Sequence, residues 1–203
     1  MNTSLKRLII DTATPYLYIA LYEGENKLKS VYQKGNNDHS VTLMDQIETM
    51  FKALNWRVSM LDQIIVGIGP GSYTGVRIGT VVAKMFAWSH NIDIYQVTST
   101  ALLASGAKPG KILAYIDARR DQAFAGVYQK TADDFKVVLE ATYGDLTTMK
   151  KTWDYDHVVK VNEPDLNVLL NSEGLKRVTN VHTLTPMYLR KTEAERNKAS
   201  END

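Results

Sequence analysis

One stretch decides the fold of this chain: Leu61-Asp-Gln-Ile-Ile-Val-Gly-Ile-Gly-Pro-Gly-Ser-Tyr-Thr-Gly-Val-Arg-Ile-Gly-Thr-Val-Val-Ala-Lys-Met-Phe-Ala-Trp88. It predicts a strand, a glycine-rich turn and an apolar helix in immediate succession. Residues 64–68 are branched and apolar, which is typical of a strand covered on both faces. The glycines of the turn accept a positive φ or a close backbone approach. Ser72 and Thr74 are both able to cap the helix that follows.

The spacing of these glycines excludes one phosphate-binding motif and weakens another. A P-loop requires lysine directly after its last glycine, where this chain has Val76. A dinucleotide fingerprint is one residue shorter than the run Gly69, Gly71, Gly75, and it opens the first strand-helix unit rather than a later one. Two interpretations stay open. The free N–H groups of the turn meet an anion, or the glycines only let the helix pack closely on the sheet.

The helix predicted from Gly75 to His90 is apolar nearly all round. Gly79, Ala83 and Ala87 recur every four residues and form one smooth stripe, while larger apolar residues occupy another face. We therefore expect this helix to be buried on two sides. One side contacts its own sheet, and the other contacts a second helix of the chain or a second protein.

The sequence before and after this stretch predicts a duplicated layout. A buried strand ending in Asp11, a polar turn and a second strand ending in Tyr22 are matched by a strand ending in Asp117, a turn and a strand ending in Tyr128. Such a repeat indicates two similar half-domains, although chance is a real alternative for so short a match. We place the lobes at residues 1–98 and 99–203, the second being a shorter copy with a charged tail.

The remaining elements are predicted from hydrophobic periodicity and capping residues. In the first lobe these are strands at 16–22, 27–33 and 92–97 and a helix capped by Ser40 and ending at Leu54. In the second lobe they are a short helix capped by Ser99, strands at 135–141, 157–161 and 177–181, and helices at 144–152 and 164–170. Tyr188 and Leu189 are expected to dock before the charged tail.

Composition excludes several classes of protein. A net charge of +1 argues against a generally basic nucleic-acid surface, and the absence of cysteine excludes disulfides and thiolate metal sites. No segment has the ~20 apolar residues of a membrane span, and the first residues lack the apolar core of a signal peptide, so we expect a cytoplasmic protein with no membrane contact. The four histidines form no metal-binding pair, and His39 is interpreted as a hydrogen-bonding residue at a helix start.

Asp11 and Asp117 are the candidate catalytic residues. Each ends one of the matching strands, where a two-lobed nucleotide phosphotransferase would hold Mg²⁺ or a base. Aspartate at a strand-to-turn junction is also an ordinary turn residue, and a salt bridge to Arg119 or Arg120 would explain Asp117 without chemistry. Both interpretations stay open at this point.

Four blocks of sequence resemble the TsaB (YeaZ) family. They are Ile10-Asp-Thr-Ala-Thr14, Gly69-Pro-Gly-Ser-Tyr-Thr-Gly-Val-Arg-Ile-Gly79, Ile116-Asp-Ala-Arg-Arg120 and Pro186-Met-Tyr-Leu-Arg-Lys-Thr-Glu-Ala-Glu195. The resemblance implies an α/β fold of the two-lobed actin-like, Hsp70-like (ASKHA, ribonuclease H-like) type with a short second lobe. Tyr73 and Val76 replace the family's usual Phe and Leu and preserve apolar bulk.

The resemblance also implies a function in tRNA modification. Members of this family take part in forming N6-threonylcarbamoyladenosine (t6A) beside the anticodon of tRNAs that read codons beginning with A. The transfer itself is performed by the paralogue TsaD, whose histidine metal ligands have no counterpart at Tyr95–Ala104 here. We therefore expect a non-catalytic scaffold or activator that pairs with TsaD, reaches TsaE through that complex, forms a homodimer when alone and contacts tRNA only indirectly.

The resemblance places the partner surface and a cleft on named residues. Pairing through the two helices of the first lobe implies an interface of Leu43, Met44, Ile47, Gly79, Thr80, Ala83 and Ala87. The resemblance implies no metal, no catalytic residue and no intrinsic cofactor, with weak adenine-nucleotide binding expected at Asp11, Thr12, Gly71, Ser72 and Asp117. The alternative function is an autonomous nucleotide phosphotransferase or ATPase that uses Asp11 and Asp117.

Overall fold

The computed structural model describes residues 4–35 and 39–190, which form two β-sheets with helices around them. The strands are β1 Lys6–Asp11, β2 Tyr16–Glu23, β3 Asn26–Lys34, β4 Gln63–Gly67, β5 Asp93–Val97, β6 Gly110–Asp117, β7 Gln122–Lys130, β8 Phe135–Asp145, β9 His157–Val159 and β10 Lys176–Val178. The helices are α1 His39–Leu54, α2 Tyr73–His90, α3 Ser99–Ser105 and α4 Leu146–Thr152.

The first sheet has the strand order β10-β5-β4-β1-β2-β3. Strands β1, β2 and β3 form an antiparallel meander, and β1, β4 and β5 are parallel neighbours. Parallel pairing requires crossover connections, which α1 and α2 provide. Ile64, Ile65 and Val66 of β4 are fully buried, as the branched apolar run predicts for a strand covered on both faces.

The second sheet repeats the beginning of the first. Its order is β8-β7-β6-β9, with an antiparallel meander of β6, β7 and β8 and a parallel pairing of β6 with β9. Because α4 connects β8 to β9 as α1 connects β3 to β4, the predicted duplication is confirmed in the topology. The pairing differs by one residue, since Tyr22 is opposite Arg7 whereas Tyr128 is opposite Ile112.

The helices occupy three layers. Side chains of α1 and α2 form one core with one face of the first sheet. The opposite face of that sheet, α3 and the inner face of the second sheet share another core, which joins the two lobes. Met149 of α4 packs with Leu113 and Ala125 on the outer face of the second sheet. No helix among the described residues is both long enough and apolar enough to cross a membrane.

Two local predictions are wrong, and three others are not tested. Residues 164–170 form turns rather than a helix. The amides of Leu169 and Leu170 share one acceptor, the Leu166 carbonyl, and the side chains of Leu166 and Leu169 are fully buried. Thr98 rather than Ser99 caps α3, since the Thr98 side chain accepts the Ala101 amide. The predicted cap at Ser40, the side chain of His39 and the charged tail from residue 191 lie outside what the structure describes.

The last strand crosses back to the first sheet. Strand β10 was predicted within the shorter second lobe, yet it pairs antiparallel with β5. It is preceded by the turns at Leu166 and Leu169, whose side chains lie in the core between the lobes. The division at residue 98 stays a prediction. In the structure, β10 returns the chain from the second lobe to the first sheet.

The glycines at the start of α2 let this helix approach the β1–β2 turn. A Cβ added at Gly75 would lie 2.1 Å from the carbonyl oxygen of Thr12, and one at Gly71 would lie 2.1 Å from that of Ala13. These are backbone atoms, so relief requires the helix or the turn to move. The amide of Ser72 donates to the same Ala13 carbonyl at 2.7 Å, which fixes the close approach.

We predict that Gly75→Ala destabilises the protein by about 2 kcal/mol, because overpacking against a backbone carbonyl outweighs the gain in helix propensity. Chemical denaturation followed by circular dichroism measures the free energy of unfolding. Thr74→Ala is the matched control, since Thr74 is exposed on the same turn, and its effect should stay within about 0.5 kcal/mol. Equal stability of Gly75→Ala and the parent would contradict the packing explanation.

Candidate functional site

A cavity of about 1050 Å³ lies between the two lobes. Its walls come from the β1–β2 turn, the turn and first residues of α2, the β6–β7 turn and residues 187–190. The loops that follow equivalent strands of the two lobes therefore face the same space. This is the cleft in which the sequence predicts nucleotide-binding residues.

Asp11 lies behind the wall of the cleft. Its carboxylate Oδ1 accepts the Ala13 amide at 2.9 Å and the Ser99 hydroxyl at 3.0 Å, and the side chain is 3% exposed. Its carboxyl group packs over Gly67, where an added Cβ would lie 2.6 Å from Asp11 Cγ. Burial raises the pKa of Asp11 to about 6, against the opposing effect of these two hydrogen bonds. Asp11 thus links β1 to α3 and is not among the residues lining the cleft.

Thr12 is also fully buried. Its hydroxyl donates to the Gly75 carbonyl at 2.6 Å and accepts the Gly79 amide at 3.0 Å. The side chain therefore connects the β1–β2 turn to α2. Of the five predicted cleft residues, Asp11 and Thr12 do not reach the cavity, whereas Gly71, Ser72 and Asp117 line it.

The glycine-rich turn uses its polar groups internally. The Ser72 hydroxyl accepts the Gly75 amide at 3.1 Å, and the amide of Gly69 donates to the Ser99 hydroxyl at 3.2 Å. Ser72 caps α2, as predicted. With these amides bonded to the chain itself, the geometry favours the packing interpretation of the glycines over a phosphate cradle.

Asp117 is exposed on the opposite wall. Its carboxylate accepts the Arg119 amide at 2.7 Å and lies 3.4 Å from Lys160 Nζ. The hydrogen bond from the Arg119 amide is the main reason that its pKa is lowered. The expected salt bridge partner was Arg119 or Arg120, but the structure gives Lys160 instead. Asp11 is buried and Asp117 is exposed, so the two are not an equivalent pair of cleft carboxylates.

A strap formed by residues 186–190 closes one side of the cleft. The Met187 amide donates to the Ile68 carbonyl at 2.7 Å, and Arg77 Nε donates to the Tyr188 hydroxyl at 2.7 Å. Arg190 reaches the second lobe, where it donates to the Ala118 carbonyl at 3.3 Å. The predicted docking before the tail is confirmed. The link to the second lobe through Arg190 had no signal in the sequence.

The predicted partner surface lies mostly inside the chain. Five of its residues are no more than 4% exposed, namely Leu43, Ile47, Thr80, Ala83 and Ala87. Gly79 is covered by Thr12, and Met44 alone is substantially exposed. The small-residue stripe of α2 faces the sheet because close packing there requires small side chains. These residues therefore support the helices from within, and their use by a partner stays untested.

The outer face of α2 carries a different apolar set. Val81, Met85 and Trp88 are 61%, 46% and 68% exposed, respectively, and follow one another at i, i+4 and i+7. Three exposed large apolar residues on one helical face mark a contact surface more strongly than scattered ones. Sequence reasoning did not name this stripe, although the same helical periodicity contains it. Within residues 4–35 and 39–190, no group of three or more metal-ligating side chains is found.

The buried carboxyl of Asp11 makes stability depend on pH. Its folded-state pKa is above the ordinary value, so its contribution is fully present below about pH 4 and is lost as the pH rises through about 6. We predict that Asp11→Asn, which cannot ionise, gains about 2 kcal/mol relative to the parent between pH 4 and pH 7. Paired denaturation curves at the two pH values measure this difference. A difference independent of pH would show that the carboxyl is not held in a desolvated site.

Comparison with known proteins identifies relatives over nearly the whole chain. A family model described as TsaD, tRNA N6-adenosine threonylcarbamoyltransferase, matches residues 33–163. The tRNA threonylcarbamoyladenosine biosynthesis protein TsaB of Bacillus subtilis is 30% identical, covering 93% of this chain and 95% of the relative. The protein of the same name from Escherichia coli is 28% identical, covering 62% of this chain and 56% of the relative.

A solved structure supports the same assignment at the level of the fold. The YeaZ structure from Pseudomonas aeruginosa superposes with a TM-score of 0.74 at 21% identity, covering 91% of this chain and 100% of that one. The mixed α/β, two-lobed actin-like fold implied by the sequence is thereby confirmed. The chain belongs to the family matched by the TsaD model and, within it, to the TsaB (YeaZ) group of proteins.

Proposed function

We propose that this protein is a non-catalytic scaffold subunit in the formation of t6A on tRNA. The single observation that carries the proposal is the exposed apolar stripe of Val81, Met85 and Trp88 on α2. The relatives named as tRNA threonylcarbamoyladenosine biosynthesis proteins supply the pathway. The scaffold holds and activates the TsaD-type transferase, and TsaE joins through that pair.

The stripe has the character of a pairing surface. Its three side chains project from one helix, and the exposed Met44 lies on the neighbouring α1, which contacts α2. A helix face of this kind buries apolar area against a matching helix of a second molecule. We infer that the same surface forms a homodimer when the protein is alone and is transferred to TsaD in the complex.

The carboxyl groups support a scaffold rather than an enzyme. A catalytic aspartate has to reach its substrate, yet Asp11 is enclosed by Ala13, Ser99 and Gly67. Asp117, which is exposed, is already engaged by Lys160 and the Arg119 amide. We therefore propose no intrinsic cofactor, and weak adenine-nucleotide binding beside Gly71, Ser72 and Asp117 stays a prediction.

We predict that Met85→Glu weakens pairing at least about tenfold, because a charge would be buried in an apolar contact. Light scattering measures the mass of the protein alone and mixed with TsaD from the same organism. Val138→Glu is the matched control, since Val138 is also 46% exposed but lies on β8 of the second sheet. Normal pairing by the Met85→Glu variant, or an equal loss of pairing in the Val138→Glu control, would contradict the proposed pairing surface.

The rival function is an autonomous nucleotide phosphotransferase or ATPase. We predict that the isolated protein hydrolyses ATP no faster than a buffer blank and that Asp11→Asn leaves this background unchanged, because the buried carboxyl does not reach the cleft. Phosphate release over a range of Mg²⁺ concentrations measures the activity. Robust turnover that is lost in Asp11→Asn would overturn the scaffold proposal.

A further inference from the structure

The cleft concentrates positive charge in a chain that is nearly neutral. Its lining contains the cationic side chains of Lys34, Arg119, Arg120 and Arg190, while Asp117 is the one acid among the described lining residues. The whole chain has a net charge of only +1. A concave surface with one sign of charge attracts a ligand of the opposite sign.

Two of these cations, Arg119 and Arg120, lie on a turn whose backbone is held by hydrogen bonds. Arg119, Arg120 and Asp121 have φ values of 66°, 53° and 57°, a left-handed conformation that costs about 1–3 kcal/mol for each residue other than glycine. Backbone bonds support the turn, since Gln122 N donates to Arg119 O at 3.1 Å and Leu146 N donates to Asp121 O at 2.9 Å. Within the described part of the chain, neither guanidinium forms a salt bridge or hydrogen bond, and Arg119 has only the longer-range attraction of Asp117.

The distribution of groups favours an extended polyanion over a compact nucleotide. A nucleotide site gathers backbone amides around one phosphate group, but here Ser72 and Gly75 direct their amides to the chain itself. The arginines lie instead at the exposed rim. Tyr73 and Tyr188, which are 41% and 45% exposed, line the same cavity. Their rings pack on each other with centroids 4.9 Å apart, and Arg77 lies 3.8 Å from the Tyr73 ring centroid, so they form a fixed aromatic pair. Exposed cations beside aromatic rings are the combination used by proteins that bind single-stranded nucleic acid.

We propose that this cleft binds the sugar-phosphate backbone of single-stranded RNA, with Arg119 and Arg120 contacting phosphates beside the Tyr73–Tyr188 aromatic pair. The inference rests on the proposed function, which makes the substrate tRNA the RNA in question. It goes beyond the expectation that the protein contacts tRNA only indirectly. Recognition through phosphates positions the RNA and carries little sequence preference.

Fluorescence anisotropy tests the proposal with the full chain and a labelled anticodon stem-loop RNA at several salt concentrations. The double variant Arg119→Gln with Arg120→Gln should bind about tenfold more weakly at low salt, and the slope of log K against log salt should become shallower by about 1.4. The double variant Arg119→Lys with Arg120→Lys retains both charges and should bind within about threefold of the parent.

The matched control removes two positive charges elsewhere. Arg57 and Lys108 are exposed and lie outside the cleft, so the variant Arg57→Gln with Lys108→Gln should bind RNA like the parent. Equal weakening in this control, or unchanged binding in the Arg119 and Arg120 variant, overturns the proposal. ATP binding lost in that variant while RNA binding is retained also overturns it, in favour of a small anion.

Two further readouts separate the possible failures. Circular dichroism of the Arg119 and Arg120 variant should match the parent, and the lysine variant keeps the proposal testable if the glutamine variant does not fold. Light scattering with TsaD measures pairing independently of RNA. Loss of RNA binding in the Arg119 and Arg120 variant with intact pairing to TsaD supports RNA binding in the cleft. If the parent protein itself binds no RNA but still pairs with TsaD, the RNA inference is overturned and the scaffold proposal is unaffected.

Discussion

The structure depends on the close contact between the β1–β2 turn and the first residues of α2. Gly71 and Gly75 bring the backbone of the helix start against the carbonyls of Ala13 and Thr12, where no Cβ fits. The Thr12 hydroxyl completes this contact through its bonds to Gly75 and Gly79. Because α2 is held so near the sheet at this end, its small residues face inward together with Val82 and Phe86. Val81, Met85 and Trp88 lie on the outer face.

The same contact explains why two residues that look functional are structural. The sequence predicts nucleotide binding at Asp11 and Thr12, but in the structure their polar groups are satisfied by Ala13, Ser99 and the start of α2. A buried carboxyl whose pKa is raised to about 6 is often read as a catalytic group. In this chain the cause of the shift is burial within the framework, which is compatible with a structural role.

The second lobe keeps the strand order of the first with fewer helices, and it presents a different surface to the cleft. Where the first lobe offers a glycine turn bonded to itself, the second offers a left-handed turn with two arginines that have no hydrogen-bond or salt-bridge partner among the described residues. The strap at Met187, Tyr188 and Arg190 contacts both lobes and lines one side of the cleft. The proposed division of labour therefore follows the geometry, with pairing on the outer face of α2 and RNA contact in the cleft.

The sequence by itself determined the strand-turn-helix stretch, the duplicated hairpin and the family. These features are local, since alternating apolar residues, glycine spacing and capping side chains act within a few residues of one another. Only the tertiary structure decided which stripe of α2 is covered, that Asp11 is enclosed while Asp117 is exposed, and that β10 joins the first sheet. Each of these depends on which distant segment packs against a residue. For Ala83 and Trp88, both apolar and both on α2, that packing places one in the core and the other at the surface.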